Sequence, residues 1–404
     1  MTKEQKREAV IWGAGKIGRG FLAELFQDAG FQISFFDSAE NLVRKLNAAR
    51  SYSIHKVMGK GRESRVVIQG FEAYHTSDLQ VFINKLKEEN TIIAVAVHPV
   101  ALRETAEMMI PGLVSRAKAK PESTLDMILC VNMTNPARSM RSLLEELLPG
   151  EVRFYLDRIG LVESVVMRVS PEAPPELLER DGLTVVNNGY PEMPLDKKAF
   201  KGIIPQSKLI RLTENIEAEE IRKIYTLNMA HGMLAYLGSL KGYKTVAECM
   251  EDPDIKQAVR RALDEAALGL KAKFAFGDEE MEKWNHHILD SLDNPILGDR
   301  LDRLGADVRR KLSRHDRLVG PAMLCWELGV VPEHLALGIA GGFMFQQSQD
   351  PGTQAVQLFL QQNGIEKSVR YFCGLEEERF VALVVSNYKK LCQEYGVPQN
   401  QNLE

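Results

Sequence analysis

The stretch W-G-A-G-K-I-G-R-G, beginning at Trp12, constrains this chain more than any other. It lies between a short apolar strand, AVIW from Ala9, and an amphipathic helix, IGRGFLAELFQDAG, that Gly30 ends. In that setting Gly13, Gly15 and Gly18 form G-x-G-x-x-G. Gly13 permits a tight turn, Gly15 lets a pyrophosphate approach the backbone, and Gly18 lets the helix pack on the strand. The helix N-terminus, with Arg19 beside it, then faces the phosphates. The second strand, FQISFFD, ends on Asp37, 19 residues beyond Gly18. A carboxylate there grips ribose hydroxyls and repels a 2′-phosphate, so the expected cofactor is NAD(H) and not NADP(H). The expected cofactor contacts are Gly13, Ala14, Gly15, Lys16, Ile17, Gly18, Arg19 and Asp37, with Val97 and His98 after a later strand.

The first half continues to alternate. SAENLVRKLNAAR reads as a helix with Ser38 as its N-cap. YSIHKVM and SRVVIQGF, around GKGR, read as an inserted hairpin. TIIAVAV and LDMILCV are wholly apolar strands, each followed by a helix, which argues a doubly wound parallel sheet. Pro171 to Pro194 breaks the rhythm with five prolines and an Asn188-Gly189 turn. Beyond about Ile204 the spacing is helical almost throughout. The expectation is an α/β Rossmann-type NAD-binding domain over 1–204 and an all-α substrate and catalytic domain over 205–404.

A chain of 404 residues is long enough for two such cores. A formal net charge of −4 offers no bulk basic field for nucleic acid or an anionic membrane. There is no 18-residue apolar run, and MTKEQKRE leads directly into a strand instead of a signal sequence. The five cysteines are odd in number and scattered, as expected of free thiols in a reducing cytoplasm. His286-His287 lacks a third ligand at metal spacing, so no metal site is expected.

One apolar helix raises a question. RKIYTLNMAHGMLAYLG, from Arg222, carries Lys223, Asn228 and His231 in its first turns, with small Ala230 and Gly232 beside them. At about 100° per residue the three lie at 0°, about 140° and about 80°, spread over one side of one helix. A nicotinamide cofactor implies hydride transfer, which needs a group to take a hydroxyl proton. A partly buried lysine suits that role if desolvation lowers its pKa. Asn228 and His231 would bond the same oxygen or hold the amine. Asn132 ends the LDMILCV strand on the carboxyl edge of the sheet, where ligands of such folds bind.

K-x4-N-x2-H, filled by Lys223, Asn228 and His231, is the signature of the polyol-specific long-chain dehydrogenases, the mannitol dehydrogenase family, which this chain resembles. GAGKIGRGF, KGIIPQSKLIRLTENI, YTLNMAHGMLAYLG, DNPILGDRLDRLG and RKLSRHDRL resemble its mannitol-1-phosphate 5-dehydrogenase branch in the same order. The resemblance implies a Rossmann domain plus a helical domain, no metal, a monomer, Lys223 as acid–base, and Asn132 with Asn228 polarising the reacting oxygen. It implies interconversion of mannitol 1-phosphate and fructose 6-phosphate. Three positions depart from that branch and are expected near the nicotinamide or substrate: His98, Val131 and Met167. They keep open a family member acting on another polyol, a sugar acid or an amino-linked sugar. A non-catalytic NAD(H)-binding sensor is the alternative of a different class. A phosphate would need local cations, and VRRKLSRHDRL is the densest run, with Leu312 and Leu318 as apolar anchors. Lys311 and Arg317, and after them Arg310, are the expected phosphate contacts.

Overall fold

Strands that are apolar on both faces must be covered on both faces, and the first half of the chain does this with a parallel sheet. The computed structural model describes residues 7–396 apart from Ser348. Among the described residues the main sheet has six strands: β1 (Arg7–Trp12), β2 (Gln32–Asp37), β3 (Phe71–His75), β4 (Asn90–Val95), β5 (Leu125–Leu129) and β6 (Ile159–Glu163). They are ordered β3-β2-β1-β4-β5-β6, every pairing parallel. This is the doubly wound order, whose strand sequence reverses between β1 and β4. Two apolar clusters cover the sheet, one including Phe21, Phe26, Phe35 and Ile54, the other Trp12, Phe82, Met109 and Leu144.

β3 and β6 were not legible as strands. FEAYH is an edge strand with mixed exposure, and IGLVE follows directly on a 3-10 segment, Gly150–Arg158. The expected hairpin exists as Ser51–Met58 and Arg62–Gln69, in a separate three-stranded sheet with Val185–Asn187. Ser38 is not a helix cap. The helix Glu40–Ala49 starts after Ala39 without a side-chain cap, and Asp37 holds the preceding turn by accepting from the Ala39 N–H at 2.8 Å.

The chain divides into two compact units, 1–57 with 62–219 and 58–61 with 220–404. The sequence expectation put the division at residue 204. Ile210–Thr213 pairs in parallel with Met193–Asp196, which keeps the intervening stretch in the first unit. The second unit is built of helices around Met229–Leu240, whose residues from Met229 to Gly238 are all buried. A helix apolar all round must be surrounded, and glycines admit its neighbours. A Cβ on Gly238 would stand 2.2 Å from Cys249 Sγ, and one on Gly338 2.8 Å from Met233 Cγ. The five cysteines are buried free thiols, and among the described residues no helix is long and apolar enough to cross a membrane.

Arg116 shows how firmly the first unit is tied at the end of the sheet where β4 begins. Fully buried, it donates to Tyr155 Oη at 2.7 Å and to the carbonyls of Leu86, Glu88, Glu89 and Thr124. Arg116→Met should lower unfolding free energy by about 3–5 kcal/mol, because several buried acceptors lose a donor that water cannot replace. Urea unfolding checks this, and NADH affinity of the folded variant should stay within about twofold.

Candidate active site

The glycine turn after β1 is held by contacts no side chain allows. Gly13 has φ +99°, and a Cβ on it would stand 2.3 Å from the Ala96 carbonyl oxygen. One on Gly18 would stand 2.0 Å from the Gly13 oxygen. Gly15 has open space where its Cβ would be. The loop thus packs at its two ends and leaves its middle glycine free for a diphosphate, as the spacing predicts. Val97 borders the turn, its Cγ1 3.4 Å from that position on Gly13, while His98 is exposed before the 3-10 turn Pro99–Ala101. Asp37 Oδ2 accepts from the Ala14 N–H at 2.7 Å and Oδ1 from the Ala39 N–H. Two backbone donors fix this carboxylate at the mouth of the turn, where a ribose would lie.

The helix after the loop does not begin as an α-helix. Gly18–Leu22 is a π turn, followed by α-helix from Ala23 to Asp28. Arg19, expected beside the phosphates, instead donates its Nε to the Ala14 carbonyl at 2.7 Å and another N–H to Leu183 O. It braces the loop. Lys16 pairs with Glu172 at the surface, and Ile17 packs on the apolar cluster below. Side chains absent from the sequence reading complete the brace. Tyr52 Oη donates to Arg19 O at 2.8 Å, and Asn187 Nδ2 to Gly20 O at 2.9 Å. Arg168, buried, reaches Gly20 O at 3.1 Å and Glu24 Oε2 at 2.6 Å and lies 4.0 Å over the Phe21 ring. No periodicity signals these partners; they come from distant segments.

Asn132 is exposed in the bend between β5 and the helix Pro136–Leu147. Val131 and Met167 are enclosed by their own unit. Both are buried, Val131 within the second apolar cluster, and the Met167 carbonyl accepts from Asn188 Nδ2. Of the three departures from the family pattern only His98 is accessible.

In the second unit the trio sits across another π turn. Ile216–Lys223 is α-helical, Ile224–Asn228 is π, and Met229–Leu240 is α-helical again. The Met229 N–H bonds Ile224 O, five residues back. Uniform 100° steps therefore fail here. A π turn absorbs one extra residue, so all later positions lag by roughly 100°. The K-x4-N-x2-H spacing of five and eight then behaves like four and seven, a single helix face. Lys223, Asn228 and His231 come within roughly 60° of one another instead of 140°. Lys223 and Asn228 are half-buried and His231 is 9% exposed.

Desolvation lowers the Lys223 amine to about 8, with nearby Arg317 adding to the shift and Glu220 opposing it. Burial, followed by Arg317, Arg303, Lys311 and Lys223, lowers His231 to about 3, so its ring is neutral at physiological pH. Its Nε2 is 4.0 Å from Asp299 Oδ2. Lys311 is buried, its Nζ donating to Leu304 O at 2.7 Å, and burial with Arg317 and Arg310 lowers it to about 7. Arg317 lays its stem against Gly232, whose Cβ would be 3.4 Å from Cδ, and donates Nε to Asp316 at 2.8 Å. Lys223, His231, Lys311 and Arg317 thus form one cluster. Arg310 stands at its edge, exposed, paired with Asp307 at 2.6 Å and sharing Asp316, at 2.9 Å, with Arg317.

Two family models cover nearly all of the chain: the mannitol dehydrogenase Rossmann domain over residues 7–209 and the mannitol dehydrogenase C-terminal domain over 215–392. The chain belongs to the mannitol dehydrogenase family. Its cofactor is NAD, for which the open Gly15 and the fixed Asp37 carboxylate are suited. The fold is that of D-sorbitol dehydrogenase in substrate-free form, at 14% identity and a TM-score of 0.84 over 97% of this chain and 95% of that one. It also matches the Pseudomonas fluorescens mannitol 2-dehydrogenase ternary complex with NAD and D-mannitol, at 17% identity and 0.74 over 97% and 93%.

Because Asp37 is held by two N–H groups, it cannot swing away from a 2′-phosphate. NADH should be preferred over NADPH by at least roughly 10-fold in kcat/KM, the scale of an unpaired like-charge contact. Asp37→Ser should remove most of that preference. Parallel kinetics with both cofactors check it.

Proposed function

We propose that this protein is an NAD-dependent secondary-alcohol dehydrogenase that interconverts mannitol 1-phosphate and fructose 6-phosphate. The observation that carries the reading is the cluster of the second unit, where a lysine of lowered pKa shares a helix face with Asn228 and His231, next to Lys311 and Arg317. NAD held at the Gly13–Gly18 turn with its ribose on Asp37 would supply the hydride acceptor for oxidation, and NADH the donor for reduction. Lys223, as free amine, takes the hydroxyl proton in oxidation; as ammonium it gives the proton back in reduction. Asn228 donates a hydrogen bond to the same oxygen, and Asn132 is assigned a share of that field. His231, neutral, bonds that oxygen or steadies the lysine without adding charge.

The choice of a phosphorylated substrate rests on Lys311 and Arg317. A buried amine that donates to the Leu304 carbonyl, its pKa lowered by burial and Arg317, would be held as ammonium by an anion placed beside it. A phosphate dianion would supply it. Arg310, tied to two carboxylates, contributes less than expected. D-sorbitol and D-mannitol dehydrogenases share the fold, so an unphosphorylated polyol is the reading to exclude.

The lysine assignment sets a pH dependence. With Lys223 at about 8, the proton-accepting form grows as pH rises, so kcat for alcohol oxidation should climb up to about pH 8 and then level. Ketose reduction needs the ammonium and should be level below about pH 8 and fall above it. No limb should appear near pH 6.5, since His231 does not titrate there. Profiles of kcat in both directions check this. Lys223→Ala should lower kcat by at least about 10²-fold with NADH affinity little changed.

Fructose 6-phosphate should exceed fructose in kcat/KM by roughly 10²-fold or more, as charge-assisted pairs at a partly buried site allow. Lys311→Ala and Arg317→Ala should each erase most of that gap while leaving the weak activity on fructose nearly unchanged. A panel of ketoses and ketose phosphates, followed at the NADH absorbance, decides it. A preference for fructose, or for a sugar acid or amino-linked sugar, would overturn the phosphate reading and leave the lysine reading standing.

A further inference from the structure

The π turn that aligns the trio has a fastening of its own. Thr226, at its centre and fully buried, donates its hydroxyl to the Arg222 carbonyl at 2.5 Å. The same hydroxyl accepts from the Trp284 indole N–H at 2.8 Å, so both of its hydrogen-bond roles are used. Trp284, on the helix Asp278–Leu292, is 4% exposed. Its ring also lies 4.0 Å from the Arg222 guanidinium, which has Phe276 at 4.4 Å and Glu280 at 2.5 Å. One neighbouring helix therefore grips both the residue before Lys223 and the residue three after it.

That grip has a purpose that packing alone does not explain. A π turn can move along a helix, because the extra residue can be absorbed at any step. If it moved beyond Asn228, that residue would return to five ordinary steps from Lys223, about 140° away. Many helical threonines bond the carbonyl four residues back; here an indole from another helix also holds that hydroxyl, which ties this part of the turn to one place. We infer that Thr226, backed by Trp284 and Arg222, is a positioning residue that holds the π turn between Lys223 and Asn228 and so sets the alignment of Lys223, Asn228 and His231. The inference rests on the proposed roles of that trio.

The test compares the unaltered enzyme with Thr226→Val, Thr226→Ser, Trp284→Phe and Lys223→Ala. Measured are kcat and its pH profile in ketose reduction, NADH affinity by fluorescence titration, and the urea midpoint. Thr226→Val should lower kcat 10- to 100-fold and move the limb near pH 8 towards the ordinary lysine range, with NADH affinity within twofold. Thr226→Ser, which keeps the hydroxyl, should restore kcat to within about threefold. Trp284→Phe keeps a ring under Arg222 but lacks the N–H, and should fall between the two. Should Thr226→Val be too unstable to purify, Trp284→Phe is read by the same criteria.

The inference is overturned if Thr226→Val, or failing it Trp284→Phe, keeps kcat and the pH limb within twofold while only the urea midpoint drops. It is overturned equally if Thr226→Ser is as impaired as Thr226→Val, because the hydroxyl would then not be the fastening. Failure of the underlying reading looks different. In that case Lys223→Ala itself leaves turnover unchanged.

Discussion

Two π turns, each with a backbone carbonyl at or beside it bonded by side chains, organise both candidate segments. In the first unit, at the turn Gly18–Leu22, Arg19 O accepts from Tyr52 and Gly20 O from Asn187 and Arg168. In the second, beside Ile224–Asn228, Arg222 O accepts from the Thr226 hydroxyl, with Trp284 behind it. Tyr52, Asn187, Arg168 and Trp284 all come from segments remote in sequence.

The two turns serve different ends. The first follows a loop in which Gly13 and Gly18 press against carbonyl oxygens and Gly15 faces open space. Arg19 is drawn back onto Ala14 O, so binding of an anion is left to backbone N–H groups and the helix end. The second turn gathers an amine, an amide and a neutral imidazole on one face. Burial and the positive charge of Arg317 act together there, and they push Lys223, His231 and Lys311 in the same direction. A cluster that disfavours its own protonation suits both a proton acceptor and an anion site, which is why the proposed chemistry and the proposed phosphate are coupled through Arg317.

The glycine loop, the Asp37 carboxylate and the two-part organisation were legible because each is a local pattern: glycines at fixed offsets, an acid at a strand end, a change of hydrophobic period. β3 and β6 were not, because an edge strand of mixed exposure and a five-residue strand after a 3-10 segment carry too little alternation. Ser38 resembled a cap because serine often is one; Asp37 took the turn instead. The burial of Val131 and Met167 was not legible either, since their departure from the family pattern says nothing of which way a side chain faces.

By itself the sequence determined the Rossmann-type sheet and the nicotinamide cofactor, and it singled out the residues to which chemistry is proposed. These follow from residue type and short-range spacing, which backbone geometry translates directly. Their alignment was decided only by the tertiary structure. Five and eight residues between Lys223, Asn228 and His231 spread them on an α-helix and unite them across a π turn. Whether a helix takes up such a turn depends on donors and rings from elsewhere in the chain, Trp284 above all, and no periodicity within the helix records them.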